Sequence, residues 1–443
     1  MANTYLTKTS ISAGNRRTWT WSGWIKRSGL GEQRIFNHEQ SSGTTNISVL
    51  KFDGNNKILY ADNAAGSNAI NLNSSNMVFE DVNAWYHIVL RVDTTDATNT
   101  NRARIYVNGQ DIHSELGSFS THTLPSQNYD TFANQSGNKM SIGAWANSTN
   151  QYFDGIMSHV HFADGQSYAP TVFGETDSTT GQWKIKTSPS VTYGTNGFFI
   201  LKDGNSVTDQ SGNSNNFTVS GGTLTNTESS PSNVFATMNP LFHHTSLITF
   251  SNGNNTAAEP TGNSTNWTTR WGISTIGFSS GKFYAEAKIS DYGSGQLYPI
   301  GIVRDENIPN ISSSIGSDGW GYYALNSGGG AIIGSEDGTN IETSVGTSTT
   351  GDIIGLAVDA DNNTLQFYKN GSALGSQVTG ITAGTYFIGC NAYANFGVQF
   401  NFGNGYFGTT AVSSAGTNAS GLGIFEYDVP TGFTALCTKG LNE

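Results

Sequence analysis

Charge is scarce in this chain. Asp, Glu, Lys and Arg make up 12% of its 443 residues, with 21 basic side chains against 33 acidic ones. The net charge of -12, with no basic run longer than the pairs Arg16-Arg17 and Lys26-Arg27, argues against nucleic-acid binding, which depends on neutralising phosphates. Two cysteines, Cys390 and Cys437, are too few for a disulfide framework and are expected as free thiols in a β core. Long apolar runs are missing, so no segment reads as a membrane span and no membrane insertion is expected. The opening MANTYLTKTS lacks an apolar stretch of signal-peptide length. Low charge with only 36% apolar residues would suit a disordered chain if aromatics were rare too. They are not: 9 Trp, 18 Tyr and 24 Phe supply large buried areas. With 54 glycines and abundant Asn, Ser and Thr, the composition implies an all-β protein of short strands and long polar loops, in two or three domains.

One pattern occurs twice. In 351–371, Ile354, Leu356 and Val358 alternate with Ile353, Gly355 and Ala357, a period of two. Asp359 to Asn363 breaks it, Leu365 and Phe367 resume it, and Asn370-Gly371 follows, a strong hairpin-turn signal. Earlier, Tyr86, Ile88, Leu90 and Val92 alternate, Asp93 to Asn101 break, and Ile105 and Val107 lead to Asn108-Gly109. Each unit predicts a hairpin in the core of its own β-sandwich.

Residues 1–168 read as the first sandwich. Strands are expected at Thr18–Arg27, Ile35-Phe36, Val49–Phe52, Lys57–Tyr60, Met77–Phe79, across the 86–107 hairpin, at Met140–Ile142 and over Phe153–Phe162. Residues 169–245 read as an irregular connector whose clear strand, Gly197–Leu201, could complete the first sandwich or lie against the second. Residues 246–443 read as the second sandwich, with strands at Phe283–Ile289, Gly301–Val303, Gly319–Tyr323, the 351–371 unit, Tyr386–Gly389 and Val398–Gly403.

These motifs carry two resemblances. Trp19-x-Trp21-Ser22-Gly23-Trp24, Trp85-Tyr86-His87-Ile88-Val89, Ile105-Tyr106-Val107-Asn108-Gly109 and Phe153-Asp154-Gly155-Ile156 together resemble the laminin-G-like (concanavalin A-like) sandwich. The later order, Gly281-Lys282 with Tyr284 and Glu286, then Gly319-Trp320-Gly321-Tyr322, Gly351-Asp352 and Phe400-Asn401-Phe402-Gly403, is similar to the SPRY domain. In addition, 153–186, 193–221 and the closing Tyr427–Cys437 look like segments of structural proteins of marine tailed phages. The resemblance implies a virion protein, a tail fibre or receptor-binding adhesin contacting host-surface polysaccharide, or else a decoration protein bound to other tail or capsid proteins. It also implies a homo-oligomer, a trimer if a fibre, and a Ca2+ at one rim held by an Asp that the motifs do not single out. No other cofactor is expected.

Catalytic chemistry has little support. Concanavalin A-like glucanases place three carboxylates on one strand face. The nearest approach here, Glu175-Thr176-Asp177, lacks the third and sits among turn residues, so neither this nor any other enzyme is expected. His159 and His161, two apart on a strand, could share a face with Asp154 and Asp164 nearby, but packing is the better reading; so it is for His243-His244. Asp359-Ala-Asp361 lacks the EF-hand Gly and Glu and reads as a turn. Sugar binding needs exposed aromatic faces beside amide and carboxylate groups. Tyr129, Trp145, Tyr152, Tyr292, Tyr298 and Trp320 are the loop aromatics, and Trp145 and Tyr152, in AWANSTNQYF, are the candidates.

Overall fold

The computed structural model describes residues 3–8, 11–40, 45–64, 67–74, 76–112, 119–202, 204, 206–243, 248–259, 271–291, 299–308, 315, 319–323, 331–334, 339–391 and 395–442. It divides into two compact units, Met1–Asn226 and Thr227–Glu443. As the composition implied, both are built almost wholly from strands.

Among the described residues, the first unit has an eight-stranded antiparallel sheet in the order Phe119–Thr123, Ser67–Ser74, Ile58–Ala64, Ile47–Phe52, Gln33–Glu39, Lys139–Ile142, Tyr5–Lys8, Thr218–Ser220. A six-stranded sheet runs Phe198–Ile200, Gly155–Asp164, Thr18–Arg27, Trp85–Asp93, Ala103–Val107, Gln110–Asp111. One face of each sheet makes the core. Trp19, Trp21, Ile25, Ile88, Leu90 and Ile105 from the six-stranded sheet meet Phe36, Leu50, Ile58, Leu72 and Met140 from the other. Gly23 holds the inward place between Trp21 and Ile25 because the Trp21 ring lies across it, 2.6 Å from where a Cβ would stand.

The second unit repeats the plan. A sheet of seven described strands runs Met238–His243, Trp271–Ser274, Tyr386–Asn391, Pro299–Arg304, Gly319–Tyr323, Ala331–Gly334, Thr339–Thr343. The facing sheet runs Thr249–Ser251, Thr256–Ala258, Gly397–Asn401, Lys282–Asp291, Ile353–Asp359, Thr364–Lys369, Ser372–Thr379, with Thr434–Ala435 pairing in parallel against Lys282–Asp291. Cys390 and Cys437 are both buried and unbridged, and burial pushes the Cys390 thiol up to about 12.

The two Asn-Gly turns share one design. Asn108 and Gly109 have φ of 49° and 80°, and so do Asn370 and Gly371. Such φ pairs suit the right-handed twist of a tight hairpin. The Asn108 carboxamide oxygen also accepts the His87 amide at 2.8 Å, as Asn370 does that of Ile353 at 2.9 Å.

Two segments differ from the sequence reading. Met77–Phe79 is not a strand: the Phe79 amide donates to the Asn56 carbonyl and its own carbonyl accepts Arg27 Nη1, so its backbone is satisfied without a ladder. The stretch 169–245 is not a separate connector. Phe198–Ile200 pairs with Gly155–Asp164 and Thr218–Ser220 with Tyr5–Lys8, which completes the first sandwich. Phe198, Ile200 and Phe217 fill its core, and burying them draws the irregular run in. From Thr227 onward the chain belongs to the second unit, where Ala236 donates to the Leu436 carbonyl.

Three imidazoles of the first unit are buried neutral. His38 shares the inward face with Phe36, lies 5.0 Å from it and 5.2 Å from Phe162, and neither ring nitrogen has a partner. Burial drives His38 and His87 down to about 3, and His161 well below its ordinary value. A folded-state pKa below the unfolded value means that protons are taken up on unfolding, so stability present above pH 6.5 is lost as pH falls. Asp62, raised to about 6 by burial, has the opposite sign over the acid part of that range. In the full chain, His38→Leu is expected to lower proton uptake on unfolding by about one below pH 6 and to flatten the acid slope of the first transition. Urea melts across pH check this; profiles parallel to the parent's would refute it.

Candidate functional site

The outer face of the eight-stranded sheet is organised by one buried carboxylate. Glu39, at the end of its strand, is 1% exposed. Its Oε1 accepts the Ser141 hydroxyl at 2.5 Å and the Ala146 amide at 3.1 Å, while Oε2 accepts the Asn147 amide at 3.0 Å. Asn37 on the same face donates to the Ala144 carbonyl at 2.7 Å. These bonds fix the chain where it leaves the strand Lys139–Ile142, and the loop folds back through a Trp145–Asn150 bridge. Thr149 and Gln151 take the left-handed φ values of 47° and 53° that this tight return requires.

Arg34 closes the other side. Its amide donates to the Gln151 carbonyl at 2.9 Å and its Nε to Gln151 Oε1 at 2.6 Å. Its guanidinium carbon stands 3.8 Å from the Trp145 ring centroid, a cation–π contact. Trp145 is half-buried on a small apolar patch of Ile47, Val49, Leu59 and Ala61, which is separate from the core. Its indole Nε1 is buried with no acceptor, and so is the Asn71 Oδ1 with no donor. Asn71 stands directly across the ladder from Ala61, on which Trp145 packs. A buried donor and a buried acceptor, both unmet, thus lie on the outer face of this sheet. A hydroxyl, which donates and accepts, can meet either.

Of the two sequence candidates, Trp145 belongs to this patch. Tyr152 lies at the other end of the same loop, half-buried, its ring 6.0 Å from that of Tyr5. Tyr129 is tied up: its hydroxyl donates to Asp62 at 2.8 Å. Trp320 is a core residue, 3% exposed. Tyr292, Tyr298 and His244 lie outside the described residues. The parts that sequence reasoning missed are Arg34, Glu39 and Asn71, whose relation to Trp145 depends on strand pairing over long separations.

The metal and catalytic candidates resolve into packing. A bulge between Ser158 and His161 interrupts the strand, with His159 at φ 49°. His161 bonds the Tyr193 hydroxyl at 2.8 Å and stacks 3.9 Å from Phe199. His159 faces the Ser158 hydroxyl at 2.7 Å. Asp359 is taken by Lys282 Nζ at 2.8 Å and the Asn362 amide at 2.9 Å, and Asp361 by the Gly281 amide at 2.8 Å. Among the described residues no group of three or more His, Cys, Asp or Glu is placed to hold a metal. Ser22 and His87 form a pair that sequence did not suggest, Oγ to Nε2 at 2.9 Å. Trp183 Nε1 donates to His87 Nδ1 at 2.9 Å, so Nδ1 is the acceptor and Nε2 holds the proton. That imidazole donates to Ser22 and cannot take its proton, so the pair is no nucleophile and base.

Residues 2–172 match the concanavalin A-like lectin/glucanases superfamily, in its laminin G form, and residues 282–405 match the SPRY domain. One match lies in each unit. The chain therefore carries a concanavalin A-like domain followed by a SPRY domain, as the motif order implied. No curated protein matches it. Similar solved structures include the TRIM65 PSpry domain, 14% identical, covering 38% of this chain and 91% of that one at a TM-score of 0.30. The SPRY domain of human HERC1 is 17% identical, covering 34% of this chain and 91% of its own at a TM-score of 0.27. A human SPRY domain is 15% identical, with coverage of 35% and 94% and a TM-score of 0.26.

Removing the carboxylate should release the loop. Glu39→Ala leaves the amides of Ala146 and Asn147 without their acceptor and removes one of the two acceptors of the Ser141 hydroxyl, at an expected cost of about 3 kcal/mol. Hydrogen exchange at 144–151 should rise with it. Unchanged exchange there, with an unchanged unfolding midpoint, would show that Glu39 is not the anchor.

Proposed function

We propose that this chain, a concanavalin A-like domain followed by a SPRY domain, is a non-enzymatic surface protein of a tailed-phage particle. In this reading it is a tail fibre or receptor-binding adhesin that contacts host-cell glycans through the Trp145 patch. The observation that carries the glycan assignment is the Trp145 ring on an outer-face apolar patch, with its own Nε1 unmet and a second unmet polar atom, Asn71 Oδ1, on the same face. Pyranose rings present an apolar face edged with hydroxyls, the chemistry this patch complements. The assignment to a phage particle rests on the sequence resemblance of 153–186, 193–221 and 427–437. A single patch of this kind gives modest affinity, and a homotrimer displayed in several copies would raise it through avidity.

One observation favours a second reading, a decoration protein whose role is structural. Arg34 already covers part of the Trp145 ring, which leaves less of it for a sugar. The two readings separate experimentally. Purified chain is expected to bind host cells or their isolated polysaccharide saturably, and Trp145→Ala to weaken that binding about tenfold, the worth of one aromatic contact. Tyr152→Ala should cost less, because its ring is engaged by Tyr5. Absence of binding, with labelled chain distributed over the capsid, would establish the decoration role instead.

A further inference from the structure

The lysine of the long strand Thr18–Arg27 is the buried lysine among the described residues of the first unit. Lys26 is 2% exposed. It stands across the ladder from Trp85 on one side and Ile156 on the other. Lys51, Arg17 and Arg104 each pair with a carboxylate, whereas no carboxylate lies in ion-pair contact with Lys26 among the described residues. A buried ammonium without a counter-ion is costly, and burial accordingly lowers the amine to about 8.

What the amine does face is a carboxamide. Nζ lies 3.2 Å from Asn83 Oδ1, in the turn that leads into the strand Trp85–Asp93. Asn83 is half-buried, and its backbone amide donates to Asp81 Oδ1 at 2.8 Å. Asp81 also supplies the Coulombic attraction on Lys26. A buried amine and a carboxamide thus meet where the amine has reason to lose its charge, and the Asp81 carboxylate acts on it only from longer range.

We propose that Lys26 and Asn83 are joined by an isopeptide bond formed by the protein itself. Neutral Nζ attacks Asn83 Cγ, the Nζ–Cγ bond forms, and the Cγ–Nδ2 bond breaks. One proton passes from the attacking nitrogen to the departing one, which leaves as ammonia. Nothing is oxidised or reduced, and no water is consumed. The product is a neutral secondary amide in place of an unpaired buried cation, which gives the reaction its direction inside the fold. Spanning 57 positions of sequence, the link would close a covalent loop around four consecutive strands, Gln33–Glu39, Ile47–Phe52, Ile58–Ala64 and Ser67–Ser74. Such a loop restricts the unfolded chain as a disulfide does.

Intact-mass measurement of the full chain, followed by peptide mapping, tests this. The expected result is a mass short by one ammonia and a branched peptide joining Lys26 to Asn83. Asn83→Ala, a change at a half-buried turn position, should restore the full mass and remove the branched peptide. Succinimide formation at an Asn-Gly step also releases ammonia, so the branched peptide decides. Full mass in the parent protein after prolonged incubation in mildly alkaline buffer, with the Lys26 and Asn83 peptides recovered separately, overturns the proposal. So does an ammonia loss that maps to an Asn-Gly step.

Discussion

The irregular segments of this chain contain many backbone amides that no ladder satisfies, and a small set of buried carboxylates satisfies them. Leaving a buried amide unpaired costs about as much as several good packing contacts contribute. Glu39 takes Ala146 and Asn147; Asp164 takes Asn15 and Asn196; Asp209 takes Phe199, Ser211 and Asn215. In the second unit Glu286, wholly buried, takes Glu426 and Tyr427 at 2.9 Å each and fastens the C-terminal segment to the sheet. Glu39, Asp164 and Glu286 sit on strands and reach into loops, whereas Asp209 sits in a loop and also takes the amide of Phe199 in the strand Phe198–Ile200. The low charge content of the chain is therefore consistent with order: its few carboxylates stand where one side chain serves two or three donors.

The same economy explains which parts of the fold were legible. Strands carrying aromatic and β-branched residues with period two, such as Thr18–Arg27 and Ile353–Asp359, could be read directly, as could both Asn-Gly turns. Ser67–Ser74 could not. Its inward residues are Ile70 and Leu72, but its outward ones are Asn71 and Asn73, and Asn is also the turn former throughout this chain. Residues 202–221 looked irregular for a related reason. They are held by Asp209 and by Asn213 and Asn215 donating to the Gly197 carbonyl, a scaffold of side-chain bonds with no periodic signature.

At the candidate site the aromatic residue was legible and its setting was not. Trp145 stood out as a tryptophan in a run of small polar residues. Whether its ring was free depended on Arg34, more than a hundred positions earlier, and on the patch formed by Ile47, Val49, Leu59 and Ala61. Ser22, His87 and Trp183 show the same limit in reverse. Each is unremarkable locally, and only the pairing of strands, with the hairpin Gly174–Thr176 and Trp183–Ile185 folded over them, reveals a stack in which His87 lies 4.8 Å from Trp24 and 5.9 Å from Trp183. Long-range register is what a single sequence leaves open.

Neighbouring cations on one strand show how burial selects chemistry. Lys26 and Arg27 are consecutive, so they point to opposite faces, and both are nearly inaccessible. Arg27 keeps its charge by finding acceptors: Nη1 donates to the Phe79 carbonyl at 2.7 Å, Nη2 to the Gly31 carbonyl at 2.9 Å, and the guanidinium lies 4.3 Å from the Phe52 ring. A guanidinium has five donors in a rigid fork and holds its proton tightly, so carbonyls and an aromatic face suit it. An ammonium is a compact, strongly hydrated charge that gives up its proton readily when dried. Lys26, with a single carboxamide oxygen as its partner, gives up its proton more readily than an exposed lysine does. Burial thus leaves a more nucleophilic amine 3.2 Å from the Asn83 carboxamide oxygen.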